Sequence, residues 1–121
     1  MMNQEETGQL LLKAQEYIPA PDVIIDVYDM TYVWVSDYHC QVTGYTKEEE
    51  HTMSISVNSQ LVDGDTSKMA PEAMNPYSHF KRKMILTSKS GKKMSVDVHG
   101  VVIVYDKQPY LIGKMDSVIA L

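Results

Sequence analysis

Histidine, cysteine and contiguous carboxylates crowd into one stretch, Thr31 to Glu50 (TYVWVSDYHCQVTGYTKEEE), and these are the side chains used for acid–base, nucleophilic or metal chemistry. His39 stands beside the only cysteine, Cys40, and a thiol near a helix N-terminus is biased toward the thiolate. Adjacent helical residues point about 100° apart, so the pair is poorly set to share a proton, and no third group orients it. A structural histidine and a small buried cysteine are the reading these residues support. Glu48, Glu49 and Glu50 offer an acid and a base by type, but contiguous carboxylates at a capped helix start normally form a solvated face. The histidines at 39, 51, 79 and 99 show no His-x-x-x-His or Cys-x-x-Cys spacing, so no metal site is expected. No Gly-rich phosphate loop is present either, and the chain is expected to be non-catalytic.

Methionine is the remaining unusual residue, with nine in 121 positions. Ordinary core filling explains them, since Met adapts to irregular gaps. The sharper reading is an adaptable apolar cavity lined by Trp34, His39, Met53, Met69, Met84, Met94 and Met115, suited to a small, largely apolar ligand.

The elements that would position these residues belong to one domain. A chain of 121 residues buries enough surface to fold without disulfides or metal. With 44% apolar and 22% charged residues it has an ordinary globular composition. Its net charge of -5, with basic residues clustered only at Lys81-Arg82-Lys83 and Lys92-Lys93, argues against nucleic acid. No apolar run reaches membrane-spanning length and MMNQEETGQ lacks a signal pattern, so no membrane contact and a cytoplasmic location are expected.

Residues 4–18 place Leu10, Leu11, Ala14 and Ile18 on one helical face, with Asn3 and Glu6 as a capping box and Pro19 and Pro21 as stops. This amphipathic helix and linker, residues 1–20, is set either to cover its own domain, residues 21–121, or to be shared with a partner chain. Val23–Tyr28 and Thr31–Val35 read as a hairpin. Ser36 or Asp37 caps a short helix through Val42, Gly44 ends it, and Thr46 with Glu49 caps another over Lys47–His51. From Thr52 to Tyr77 the pattern is weak, with one helix expected over residues 66–74. Phe80–Ser88, Lys93–Tyr105 and Pro109–Ile119 read as an antiparallel meander. In its middle strand Met94, Val96 and Val98 alternate with Ser95, Asp97 and His99, yet Val101, Ile103 and Tyr105 continue the wet register and are apolar, so something must cover them. Five strands with a helical insertion give an α+β fold, the helices mainly on one sheet face.

In that order, VSDYHCQVTGYTKEEE resembles the PAS pattern of strand, Asn-x-Ala-Phe, Leu-Thr-Gly-Tyr and Ser/Thr-x-Glu-Glu. Leu61-Val62-Asp63-Gly64-Asp65 is similar to the loop before that family's longer helix, Ser88–Lys92 to its Lys-Asp-Gly hairpin, and Lys114-Met115-Asp116-Ser117-Val118 to its closing Asp-Ile-Thr segment. Ser36, Tyr38, His39, Glu50 and Ser90 depart from the pattern, so Tyr38 and His39 mark a pocket of altered shape and polarity.

The resemblance implies a PAS-like five-stranded sheet serving as the sensory input of a signalling protein such as a sensor histidine kinase. It implies a small-molecule ligand, a homodimer, or both, and a downstream effector. The dimer surface would use Leu10, Leu11, Ala14 and Ile18 with Val101, Ile103 and Tyr105, and the relay would be Asp116 and Ser117. The end of the chain three residues past Val118 suggests an excised input domain. A ligand-free dimerisation module and a haem- or flavin-binding sensor are the other readings. The expected 66–74 helix holds no His for haem, and Cys40 precedes the Gly-Tyr break, which disfavours a flavin adduct.

Overall fold

In the computed structural model, which describes residues 2–62 and 75–121, the β-branched runs pair into one antiparallel sheet. Among these residues it has six strands: β1 (Val23–Asp26), β2 (Thr31–Val35), β3 (Ser59–Leu61), β4 (His79–Thr87), β5 (Lys93–Tyr105) and β6 (Gln108–Ala120). They lie in the order β2-β1-β6-β5-β4-β3. Three helices, α1 (Gln4–Ala14), α2 (Asp37–Thr43) and α3 (Lys47–Glu50), and a 3-10 turn at Ile55–Val57 complete the described fold. The α+β architecture read from the sequence is present, with β3 as a sixth strand on Met84–Leu86. Its three residues, Ser-Gln-Leu, are too few and too polar to show strand periodicity. The helix expected over residues 66–74 lies outside the described residues.

Side chains alternate along β5 and so divide the sheet into two faces. Met94, Val96, Val98, Gly100 and Val102 look toward α2, α3 and the 3-10 turn, where they join Val42, Cys40 and Ile55. Val101 and Ile103 look the other way and pack under α1 with Leu10, Ala14, Ile18, Ile24 and Ile112. The helix of the same chain is therefore what covers the apolar half of the outer face. Asn3 caps it by accepting the Glu6 N–H at 2.8 Å. It ends at Ala14 rather than Ile18, but the Tyr17 and Ile18 N–H groups both reach the Ala14 carbonyl at 3.0 Å, which keeps Ile18 buried. Two polar hooks fix it to the sheet: Lys13 Nζ donates to the Val104 carbonyl at 3.1 Å and the Tyr105 hydroxyl to Gln9 Oε1 at 3.0 Å.

Two bulges interrupt the alternation. Ile24 pairs with Trp34 and Ile25 with Tyr32, leaving Val33 as the extra residue in β2. Val98 pairs with Met115 and Asp97 with Ser117, leaving Asp116 extra in β6. Between them Gly100 faces Gly113 across β5 and β6. A Cβ on Gly100 would meet the Phe80 ring and the Ile112 carbonyl at 2.8 Å, so Phe80 lies directly over bare backbone.

Candidate functional site

Local capping turns His39 and Glu50 toward each other. Ser36 Oγ accepts the His39 N–H at 3.0 Å and starts α2, and Gly44, with φ 77°, ends it in the left-handed conformation that glycine tolerates. Thr46 and Glu49 form the expected capping box of α3. The reversal at Gly44 brings the last residue of α3, Glu50, back beneath α2.

Glu50 is 0% exposed. The solvated-face reading thus holds for Glu48 and Glu49, which are exposed, and fails for Glu50. Its Oε1 lies 3.1 Å from His39 Nδ1 and accepts the Thr43 hydroxyl at 3.0 Å, while Oε2 accepts from Asn58 Nδ2 at 3.2 Å. Thr43 Oγ1 receives the Tyr45 N–H, which aims its own proton at Glu50. A carboxylate surrounded by such donors takes the His39 Nδ1–H as a further one. The network continues through Asn58 Oδ1, which accepts from Tyr32 Oη at 2.8 Å and Ser59 Oγ at 3.1 Å. The Tyr32 and His39 rings stand 5.4 Å apart. Among the described residues no buried side-chain nitrogen or oxygen lacks a partner, as a stable buried network requires. Burial raises the Tyr32 phenol well above the ordinary tyrosine range. Burial, and then the charge of Glu50, also raise Cys40, which keeps it a thiol rather than a nucleophile.

Against this network lies a cavity of about 70 Å3. Tyr32, His39, Ser59 and Arg82 are its polar lining; Val23, Ile25, Ile55, Leu61, Phe80, Met84, Leu86, Val98 and Leu111 are its apolar walls, with Gly100 and Gly113 between. Of the residues the sequence proposed for a pocket, the structure brings His39 and Met84 to it. Trp34 sits on the opposite face against the α1 cluster, because the bulge at Val33 reverses the alternation that would have kept it beside Tyr32. Tyr38, next to the α2 N-cap, is 47% exposed. Met53 packs on the core around Ile55 and Val102 without lining the cavity, and Met94 and Met115 belong to the adjoining cluster with Leu86 and Val96. Met69 lies outside the described residues. Sequence reasoning missed Tyr32, Phe80 and Glu50; the one available signal was that His39 and Glu50 both break the same resemblance.

The residues proposed for a dimer surface instead meet within the chain. Leu10, Ala14, Ile18, Val101 and Ile103 form the buried cluster under α1, with Leu11 and Tyr105 packed against it. Asp116, the bulge residue, pairs with His99 Nδ1 at 2.7 Å, and Ser117 donates to Asp97 at 3.1 Å. Asp22 connects this bulge to the site. Its Oδ1 accepts the Ser36 hydroxyl at 2.7 Å and its Oδ2 the Met115 N–H at 2.9 Å, so the cap of α2 and the bulge of β6 share one buried carboxylate.

No family model and no curated protein matches the sequence. Solved structures do match the fold. The PAS domain of an HTR-like protein from Haloarcula marismortui superposes with a TM-score of 0.64 at 22% identity, covering 92% of this chain and 93% of that one. The PAS domain of nitrogen regulation protein NR(II) from Vibrio parahaemolyticus gives 0.64 at 10% identity over 96% and 99% of the two chains. A PAS domain from a two-component sensor histidine kinase gives 0.60 at 17% over 90% and 99%. The fold is that of a PAS domain.

Within this PAS fold the described residues do not fit haem or flavin, since about 70 Å3 falls well below the several hundred Å3 of a cofactor pocket. Among the described residues no group of three or more His, Cys, Asp or Glu is placed to hold a metal, and no helix is long and apolar enough to cross a membrane.

Proposed function

We propose that this chain is a PAS-type sensory input domain, without catalysis of its own, that reads a small molecule in its interior cavity and hands the result to an effector, as in a sensor histidine kinase. The observation that carries this is the continuous path from cavity to closing strand: His39 on the wall, Ser36 at the head of its helix, Asp22 beneath, and Met115 beside the Asp116 bulge. A ligand that shifts α2 pulls on β6 through Asp22, which makes Asp116 and Ser117 the exit of the signal. A cytoplasmic setting fits the single unpaired thiol. Because α1 covers Val101 and Ile103 within the chain, the homodimer of this proposal uses the outward side of α1, where Leu12 is 68% exposed.

Methyl and amide NMR of the purified chain during a small-molecule titration tests the reading. Shifts are expected at Ile25, Ile55 and Leu111 and, at the same ligand concentrations, around Asp116. In Asp22→Ala the cavity shifts persist and the Asp116 response disappears. Cavity shifts with no β6 response in the wild type would defeat the relay.

A further inference from the structure

The cavity has an unequal chemistry. Its walls are apolar, and most of its polar atoms are already engaged. Tyr32 and Ser59 turn their hydroxyls to Asn58 Oδ1, and Arg82 remains exposed at the mouth over the Phe80 ring. His39 is different. It is 2% exposed, its Nδ1 is held by Glu50, and its Nε2 makes no hydrogen bond. Because no sealed side-chain nitrogen is left unpaired among the described residues, Nε2 opens onto free space, and the cavity is the free space that His39 lines.

We infer that His39 Nε2 is the recognition atom of the cavity and that its ligand is a short-chain alcohol. This rests on reading the cavity as a ligand site. Size sets the first limit: an apolar cavity of about 150 Å3 accepts benzene, so about 70 Å3 accepts roughly three to four non-hydrogen atoms. Chemistry sets the second. With Nδ1–H committed to Glu50, Nε2 offers a lone pair when the ring is neutral and an N–H when it is charged. An alcohol oxygen both donates and accepts, so it answers either state, while its alkyl group takes the apolar walls. An ether lacks the donor and a hydrocarbon lacks both. Glu50 is then a positioning residue, since it fixes which nitrogen faces the ligand. So few atoms limit Kd to about 0.1 mM at best, which places the ligand among abundant small metabolites or environmental solutes.

The test compares 1-propanol with xenon, a purely apolar probe of similar size, by methyl NMR of the full chain at Ile25, Ile55 and Leu111. His39→Phe removes the polar atom, and His39→Phe/Glu50→Leu does so without stranding a buried carboxylate, which keeps the experiment interpretable if the single variant unfolds. Both probes are expected to enter the wild type. Propanol binding should weaken about tenfold in the variants, the scale of one lost hydrogen bond, while xenon binding stays within about twofold. Propanol binding that survives the double substitution, or xenon binding without propanol, overturns the inference and leaves the cavity reading standing. If neither probe shifts those methyl groups, the cavity reading fails and the inference with it.

Discussion

At the scale of the residue, the buried His39–Glu50 pair is the feature on which most else turns. A buried ion or hydrogen-bonded pair adds little net stability against an apolar replacement, but breaking it from one side strands a polar group. His39→Ala or Glu50→Ala is therefore expected to cost about 3–5 kcal/mol in urea denaturation, whereas His39→Phe/Glu50→Leu should cost less than the sum of the two singles, the remaining loss coming from the Thr43 hydroxyl and Asn58 Nδ2, which lose their acceptor. A double variant as unstable as the sum of the singles would show that the two groups do not act together. Tyr32 gives a pH test. Its folded-state phenol titrates above the ordinary value of about 10, so the unfolded chain loses its proton first and stability falls as pH rises past 10. Tyr32→Phe should flatten the alkaline limb of the stability–pH curve. The sequence marked His39 and Glu50 separately, each as a break in the same resemblance. Their pairing was hidden because it depends on the path through Gly44, which composition and spacing do not reveal.

Elements show where local rules suffice and where they fail. The caps were legible, since Ser36, Thr46 with Glu49, and Gly44 act through backbone groups within three or four residues of themselves. Ser36→Ala is expected to cost more than the roughly 1 kcal/mol of an ordinary cap, because it also removes the Asp22 contact; thermal melts of Ser36→Ala and Thr46→Ala side by side check this. The bulge at Val33 was not legible, because nothing in Tyr-Val-Trp-Val states which residue goes unpaired, and one skipped position moved Trp34 to the other face. Hairpin and helix also meet through charge. Lys89 lowers the Glu49 carboxyl by hydrogen bonding, and Lys83 does the same for Asp97. Both carboxyls are depressed in the folded state, so their contribution is present above the ordinary carboxylate range and is lost as pH falls through their folded values. Lys89→Ala and Lys83→Ala should lower neutral-pH stability slightly, by the same small amount by which the acid limb becomes shallower, and leave stability at low pH unchanged.

For the whole molecule, the α+β class and the pairings β1–β2 and β4–β5–β6 followed from the hairpin and the meander, which are patterns of contiguous sequence. What covers Val101 and Ile103 did not, since an apolar stripe looks the same beneath the chain's own helix and beneath a partner. With α1 in that place, Ile103→Asp buries an unpaired charge and is expected to cost several kcal/mol (about 3–5), with loss of the cooperative melt; a fully stable Ile103→Asp variant would show that α1 does not rest there. The same docking has a practical side. Without residues 4–18, Ile24, Val101, Ile103 and Ile112 become one greasy floor on an otherwise polar sheet face. Any fusion or truncation made at residue 21 would then yield a sticky, poorly soluble protein. How well this domain can be handled outside its natural context thus depends on a single helix far from the cavity.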